Sequence, residues 1–199
     1  MALQLSTTVR NAQLDQWETT IGTAPVLRIY TGAPPADCAT AASGTQLLTT
    51  ALPSDWMAGA SGGSKAKSGT WTGTAGGTGT AGYYRIWDSA VSVCHEQGTV
   101  SMAVTIATSA LTAANGNVLT FAATTGVVVG MNVSGTGVPA GATVVAVTGT
   151  TVTLSVTSTA GVSSATSITF GGDLVLDNTS IASGQSVTIS TFTRTIPNA

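Results

Sequence analysis

The stretch Ala142-Thr-Val-Val-Ala-Val-Thr-Gly-Thr-Thr-Val-Thr-Leu-Ser-Val156 predicts two short β-strands joined by a turn. Each half is rich in Val and Thr, whose β-branched side chains pack well on a pleated, partly buried surface. Gly149 lies between the halves and supplies the conformational freedom that a tight turn requires. The stretch therefore predicts strands over residues 142–147 and 151–156, a pattern typical of an all-β fold.

The same pattern extends to either side of this pair. Further short strands are predicted over residues 118–122, 127–133 and 167–170, and glycines and prolines separate them. Short strands at regular intervals are typical of a small β-sandwich. No charged side chain occurs between Glu96 and Asp173, so this part of the chain differs sharply in composition from the rest.

The change in composition predicts two domains. After residue 172 the sequence returns to the character of the first hundred residues, with strands predicted over 173–177 and 186–196. We predict a discontinuous anchoring β-sandwich made of residues 1–107 and 172–199, interrupted by an inserted Ig-like β domain at 108–171. Insertions are tolerated at exposed hairpin tips, where the two ends lie close together. The alternative is one continuous sandwich with a gradient of composition.

The anchoring domain is predicted to contain one helix. Apolar residues recur at helical spacing from Val9 to Ile21, Ser6, Thr7 or Thr8 can cap the start, and Gly22 can end it. Strands are predicted over residues 26–30, 46–52, 82–87 and 97–107. In the strand over 82–87, alternation places Tyr83, Arg85 and Trp87 on one face and Tyr84 and Ile86 on the other. Residues 59–82 are predicted to be a loop of small side chains, with one strand anchored around Trp71.

The low charge excludes several classes of protein. Charged residues make up 7% of the chain and the net charge is −2, whereas an ordinary soluble domain has roughly 25% charged residues. Six Lys plus Arg cannot form the basic stripe that nucleic-acid binding requires. Lys65 and Lys67 are expected to be solvated in a loop. No apolar run reaches the length of about 18 residues that a membrane helix needs, so no membrane partner is expected.

A resemblance to a known module lies within the uncharged part of the chain. Residues 130–155 resemble a small β module of phage and prophage structural proteins, whose pattern is G-M-x-V-x-G-x-G-[IV]-P-x-G-x-x-V. Here the pattern runs through Gly130, Met131, Val133, Gly135, Gly137, Val138, Pro139, Gly141 and Val144. The resemblance implies an Ig-like β module carried by a virion protein.

The flanking segments resemble a family of small uncharacterised phage structural proteins. The matching stretches are Met1-Ala-Leu-Gln-Leu-Ser-Thr-Thr-Val-Arg-Asn-Ala12, Leu52-Pro-Ser-Asp-Trp-Met57 and Asp177-Asn-Thr-Ser-Ile-Ala-Ser-Gly-Gln185. Shorter members of this family lack the middle portion of the chain. No catalytic residues are assigned to the family. The resemblance implies a structural component of the virion but leaves a head or a tail location open.

Two cysteines lie 56 residues apart, at Cys38 and Cys94. The start of the chain lacks a basic segment followed by an apolar core, so we expect synthesis in the cytoplasm of a bacterial host. Thiols are kept reduced in that compartment. We therefore expect two free buried thiols, with pairing after the particle leaves the cell as the alternative.

Three patterns of catalytic enzymes occur in the sequence and lack their usual context. Gly59-Ala-Ser61-Gly-Gly63 fits the G-x-S-x-G elbow, but no helix pattern follows it, and Asp88 and His95 would both have to come from one hairpin. Ser64-Lys-Ala-Lys67 and Lys67-Ser-Gly69 resemble two elements of penicillin-binding enzymes but share one lysine. A phosphate-binding loop would need Gly before Lys65, where Ser64 stands. We predict no catalytic residue and no enzyme.

Metal and cofactor sites are not predicted either. In Cys94-His95-Glu96, the alternation of a strand sends adjacent side chains to opposite faces. Asp173 and Asp177 could share a face, and a calcium ion at that turn is the alternative to two ordinary turn residues. We therefore expect no bound metal and no cofactor.

Aromatic side chains are concentrated in the predicted anchoring domain. They are expected to pack in its core and in subunit contacts, with a host-glycan surface as the alternative. The set comprises Trp17, Trp56, Trp71, Tyr83, Tyr84 and Trp87.

These observations together predict a structural component of the exterior of a bacteriophage virion. Its expected role is that of a capsid decoration protein, and its expected partners are further copies of itself and the major capsid protein or tail and neck proteins. The alternative is a tail or fibre component that binds the host surface.

Overall fold

The structure is a computed structural model that describes residues 4–158 and 160–196. The chain divides into two compact units. We call Met1–Met102 together with Asp173–Ala199 the outer unit, and Ala103–Gly172 the inserted unit. The predicted domains also covered residues 1–3, 159 and 197–199, which lie outside the described residues.

One α-helix and fifteen β-strands occur in the described residues. They are α1 (Thr7–Ile21), β1 (Val26–Thr31), β2 (Gln46–Ala51), β3 (Ser64–Ala66), β4 (Thr72–Thr74), β5 (Gly79–Trp87), β6 (Cys94–Met102), β7 (Val104–Ala107), β8 (Val118–Thr120), β9 (Asn132–Ser134), β10 (Val144–Val147), β11 (Thr151–Leu154), β12 (Ser167–Gly171), β13 (Leu174–Leu176), β14 (Ser180–Ile181) and β15 (Ser186–Thr195). The prediction of an all-β fold with one N-terminal helix is confirmed.

The helix α1 begins and ends at residues that the sequence predicts. Ser6 is the N-cap, and its side-chain oxygen accepts a hydrogen bond from the backbone N–H of Val9. Gly22 ends the helix with φ of 91°, a conformation that favours glycine. Leu14 and Ile21 are buried, whereas Val9 is 43% exposed, so the buried stripe is narrower than predicted. No described helix has the length and apolar character needed to cross a membrane.

The strands of the outer unit form one nine-stranded sheet. Its main path runs β2-β1-β5-β6-β13-β15-β3, while β14 pairs with β5 and β4 pairs with β15. Adjacent strands are antiparallel except β6 and β13, which are parallel. β13 and β15, which follow the inserted unit, are therefore interior members of a sheet in which all other strands except β14 precede that unit.

The core of the outer unit is built on aromatic side chains. Phe192 of β15 lies 5.3 Å from Trp71 and 5.7 Å from Tyr84, measured between ring centroids, and the Tyr84 contact is edge-on. Trp56 lies 5.9 Å from Trp71. All four side chains are at most 1% exposed. Each buries a large apolar area, so the segment after the inserted unit contributes a central part of the core.

The inserted unit contains two three-stranded sheets, with orders β10-β11-β8 and β7-β12-β9. Side chains from both sheets share one core, in which the rings of Phe121 and Phe170 meet edge to face at 5.6 Å. Leu119 and Val152 enter this core from the first sheet, and Ile168 enters it from the second. Two sheets around one core are the sandwich arrangement that the sequence predicts.

The boundary of the inserted unit differs from the predicted one. Residues 97–107 were predicted as one strand of the anchoring domain, but β6 ends at Met102 and β7 begins at Val104. Because β7 pairs with β12 along its whole length, residues 103–107 belong to the inserted unit.

Two further predictions of strand positions are corrected. Residues 127–133 were predicted as a strand, but only Asn132–Ser134 is extended. Gly126 and Gly130 have φ of 84° and 92°, which turns the backbone between them and leaves Val128 and Val129 exposed. Residues 59–82 were predicted as a loop with one strand, yet they hold β3, β4 and the start of β5, because β15 pairs with β3 and β4.

The parallel pairing of β6 and β13 predicts that the outer unit folds without the inserted unit. Val100 pairs with Leu174 and Met102 with Leu176. A linker that replaces the inserted unit therefore has to span only about 10 Å, from Met102 back along the strand to Asp173. We expect a chain in which six Gly and Ser residues replace Ala103–Gly172 to unfold cooperatively on heating, with the blue-shifted fluorescence of buried tryptophan. Fluorescence typical of exposed tryptophan before heating would contradict this prediction.

Candidate functional site

A cleft of about 420 Å³ lies in the outer unit, beside the segment that connects β1 to β2. This connection, residues 32–45, contains no strand. The other wall comes from the hairpin of β5 and β6. The lining residues are Cys38, Ala39, Thr40, Ala41, Arg85, Trp87, Ser92, Val93 and Cys94.

Arg85 holds the connection against the sheet. Its side chain is fully buried, and its Nη2 donates to the backbone oxygens of Asp37 at 3.0 Å and Thr40 at 2.7 Å. The same atom lies 2.9 Å from Oε1 of Gln97, whose Nε2 donates to the backbone oxygen of Pro35 at 2.6 Å. Hydrogen bonds from a charged donor are stronger than neutral ones, so these contacts fix the connection in place.

Tyr83 provides a second anchor on the same face of β5. Its hydroxyl donates to the backbone oxygen of Ser43 at 2.6 Å and accepts from the backbone N–H of that residue at 2.9 Å. The sequence correctly placed Tyr83 and Arg85 on one face of a strand. It did not show that a segment forty residues earlier would cover that face.

The side chains of Arg28, Arg85 and Trp87 form a cationic cluster beside the cleft. Arg28 and Arg85 are directly paired on β1 and β5, and their guanidinium carbons lie 5.6 Å and 5.8 Å from the Trp87 ring centroid. Nε of both arginines, Nη1 of Arg85 and Nε1 of Trp87 are buried and have no acceptor among the described residues. A wall of donors with positive charge favours an anion or a carbonyl oxygen over a cation.

The two cysteines meet in this cleft. Cys38 is partly exposed and Cys94 is buried, and both residues line the cleft. Sγ of Cys94 also lies 3.4 Å from the backbone oxygen of Glu96. The pKa of the Cys94 thiol is raised to about 12, mainly by burial and also by Cys38, while the charge of Arg85 acts in the opposite direction.

Glu96 forms a second polar group inside the outer unit. Its side chain is 6% exposed, and its Oε1 accepts a hydrogen bond of 2.6 Å from the Tyr84 hydroxyl. Nε of Arg194 lies 3.4 Å from its Oε2. Burial raises the pKa of the Glu96 carboxyl, and the positive charge of Arg194 partly offsets this rise. No local pattern in the sequence indicated this group, since Arg194 is on β15.

Lys65 was predicted to be solvated in a loop, and this prediction is wrong. The residue lies on β3 and is 3% exposed. Its ammonium group lies 2.6 Å from Oδ1 of Asp15 and 2.8 Å from Oε2 of Glu18, both on α1. A buried ammonium group is stable only beside opposite charges. The contacts of Lys65 with Asp15 and Glu18 therefore attach α1 to β3, at the end of the sheet.

The G-x-S-x-G segment forms a tight β-turn rather than a catalytic elbow. Ser61 and Ser64 exchange backbone hydrogen bonds of 2.9 and 3.0 Å across Gly62 and Gly63, whose φ values are 63° and 82°. The turn leads into β3 and not into a helix. In the sheet, β13 and β15 lie between β3 and β6, the strand that carries His95.

The other acidic side chains that the sequence analysis considered for catalysis or metal binding have contacts within the protein. Asp88 accepts hydrogen bonds from the backbone and hydroxyl of Ser92, which lower the pKa of its carboxyl. Asp173 accepts a hydrogen bond from Thr99, and Asp177 accepts one from Thr188. Within residues 4–158 and 160–196, no group of three or more His, Cys, Asp and Glu side chains could hold a metal ion.

Most of the aromatic side chains that the sequence analysis named pack in the core of the outer unit, as predicted. Trp56, Trp71, Tyr83 and Tyr84 are at most 1% exposed, and Trp17 packs against the core of the outer unit. Trp87 lines the cleft instead.

Comparisons of the chain with protein-family models, with curated proteins and with solved structures find no match.

The anchoring role of Arg85 predicts a large effect of its removal. Arg85→Met leaves three acceptors without their charged donor, so we expect the free energy of unfolding to fall by about 2–4 kcal/mol. Amide hydrogen exchange at residues 37–41 should accelerate. Lys67→Met is the control, since the Lys67 ammonium makes one exposed hydrogen bond and lies 5.9 Å from the Trp71 ring centroid, and its effect should stay within about 1 kcal/mol. Equal effects of the two substitutions would contradict this role.

The raised pKa of Glu96 predicts the direction of a pH effect. The folded chain binds a proton at Glu96 more tightly than the unfolded chain, so stability falls as the pH rises through the folded-state pKa. Glu96→Gln lacks this titration and should be more stable than the unaltered chain at pH 8, with the advantage disappearing near pH 4. Asp88→Asn should show the opposite sign, because the pKa of Asp88 is lowered. Melting temperatures measured from pH 4 to 8 test both directions.

Proposed function

We propose that the chain is a structural component of the exterior of a bacteriophage virion, and that it acts as a capsid decoration protein present in many copies. Its partners are further copies of itself and the major capsid protein, and its site of action is the virion, assembled in the cytoplasm of a bacterial host. The resemblance of residues 130–155 and of the flanking segments to phage structural proteins supports this proposal.

The observation that carries the proposal is the exposed surface of the inserted unit. Most of the large apolar side chains that are exposed in the described residues belong to this unit, although it has no charged residue. They are Leu111 at 69%, Val118 at 42%, Val128 at 56%, Val129 at 63% and Val145 at 48% exposure. A surface without charge and with several exposed aliphatic side chains is typical of a contact between proteins.

One face of the sheet β10-β11-β8 illustrates this surface. Leu119, Val152 and Val144 point into the core of the inserted unit, so the alternate residues Val118 and Val145 lie on the opposite face. Apolar burial does not depend on ionic strength, whereas ion pairs on a surface are screened by salt. Contacts of this kind suit a particle that must persist when the salt concentration changes.

The use of ionisable groups in the outer unit also supports a static role. Lys65, Arg85 and Glu96 are buried, and the polar contacts that they make are with other groups of the chain, while Nε and Nη1 of Arg85 have no acceptor among the described residues. General acid–base catalysis requires a titratable group that reaches a substrate. These three side chains instead attach a helix, a connection and a strand to the sheet, which favours a protein that is not an enzyme.

The cleft beside Trp87 favours a second candidate function. A partly exposed indole next to hydrogen-bond donors is a combination that can stack against and bind a sugar. A tail or fibre component that binds a host-surface glycan would use such a cleft. A glycan-binding measurement with the unaltered chain and with Trp87→Ala distinguishes this candidate from decoration of the capsid.

The proposal predicts that association with particles depends on the exposed valines of the inserted unit. We expect purified chain to bind to particles that lack it, and Val128→Asp with Val129→Asp to reduce the bound copies at least tenfold, because burying a carboxylate in an apolar contact is costly. Raising NaCl to 1 M should leave binding of the unaltered chain unchanged.

Val9→Asp is the control, since Val9 is 43% exposed in the outer unit and receives the same chemical change. Bound copies would be counted by mass spectrometry of washed particles. The proposal would be contradicted by equal binding of the double variant and the unaltered chain. Absence of the chain from particles of the phage that encodes it would contradict the proposal as well.

A further inference from the structure

We propose that Cys38 and Cys94 are a redox pair that closes into an intramolecular disulfide on contact with a small-molecule disulfide, and that this bond fastens the connection between β1 and β2 to β6. The inference does not depend on the proposed role in a virion.

The first observation is that the two cysteines share one cleft. Cys38 lies in the connection, Cys94 is the first residue of β6, and both line the cleft. They are 56 residues apart in sequence, so the fold brings them to the same place. Both are free cysteines, and a disulfide between them requires the two sulfurs to approach to about 2 Å.

The second observation is that other side chains hold Cys38 in this position. Arg85 donates to the backbone oxygens of Asp37 and Thr40, on either side of Cys38. The Asp37 carboxylate also accepts hydrogen bonds from the backbone N–H and the hydroxyl of Thr40, at 2.7 and 2.8 Å. Cys38 is therefore held beside Cys94 before any bond forms, and closure requires little ordering of the chain.

The difference in exposure between the thiols sets the order of reaction. Cys38 is partly exposed and lines a cleft of about 420 Å³, whereas Cys94 is 9% exposed. An incoming disulfide therefore meets Cys38 first. Burial raises the pKa of Cys94 to about 12, so little of its thiolate is present at neutral pH and the thiol does not react alone.

The reaction balances with oxidised glutathione as the oxidant. The Cys38 thiolate attacks one sulfur of glutathione disulfide, a mixed disulfide forms, and one glutathione leaves as its thiolate. Cys94 then loses its proton to solvent, and its thiolate attacks the Cys38 sulfur and expels the second glutathione. The two cysteines are oxidised by two electrons, and one glutathione disulfide is reduced to two thiols.

Arg85 assists the second step. Its positive charge lowers the pKa of the Cys94 thiol and opposes the effect of burial. The residue that positions Cys38 therefore also favours the thiolate that completes the bond. Closure should accelerate as the pH rises, because the second step depends on ionisation of Cys94.

The test uses the full chain, purified with a reductant and then incubated with oxidised glutathione. Free thiols are alkylated at intervals, and the intact mass is measured under non-reducing conditions. We expect a transient adduct with one glutathione, followed by a monomer that has lost two hydrogen atoms and cannot be alkylated. The melting temperature of the outer unit should rise by about 10 °C, because the bond closes a long loop.

Single substitutions separate the steps. Cys94→Ser should stop at a stable adduct of Cys38 with glutathione, and Cys38→Ser should leave Cys94 unmodified in the folded chain. Neither variant should gain thermal stability from oxidation. The proposal is overturned if both thiols of the unaltered chain remain open to alkylation, if the glutathione adduct is the final product, if the bond forms between chains, or if closure leaves the melting temperature unchanged.

Discussion

The parallel pairing of β13 with β6 is the interaction on which the rest of the outer unit depends. It returns the chain to the sheet after the inserted unit and places β15 where it can pair with β3 and β4. Phe192 of β15 then reaches Trp71 and Tyr84 in the core. The two ends of the inserted unit are held on the neighbouring strands β6 and β13. The inserted unit has a core of its own, and the packing of Phe121 against Phe170 provides part of it.

Three buried ionisable side chains connect separate elements of the outer unit. Buried Lys65 connects α1 to β3, Arg85 holds the connection that covers β5, and Glu96 joins Tyr84 to Arg194 of β15. A buried charge is tolerated only when partners surround it, so each of these groups also selects one arrangement of its neighbours. The inserted unit has no such groups, and its sheets are held by apolar packing and hydrogen bonds.

Local patterns in the sequence predicted the elements whose signals lie within a few residues. The Ser6 cap, the stop at Gly22 and the alternation from Tyr83 to Trp87 were predicted because neighbouring residues determine them. The strands β3 and β4 were missed because their partner, β15, lies more than a hundred residues later. The burial of Lys65 was missed because its partners, Asp15 and Glu18, are distant in sequence on α1. That Cys38 and Cys94 line one cleft likewise depends on the fold and not on a local pattern. The prediction of a strand over 127–133 was wrong. The valines in this segment favour an extended backbone, but Gly126 and Gly130 turn it.

The proposed role follows from a chain that places its charges in internal contacts and leaves aliphatic side chains of an uncharged unit exposed. A cryo-electron-microscopy reconstruction of a phage particle whose genome encodes the chain would test this proposal directly. The account predicts many symmetry-related copies on the outer surface of the head, with Val128 and Val129 buried against a neighbouring protein. Density confined to the interior of the particle, or copies whose inserted unit contacts only solvent, would contradict it.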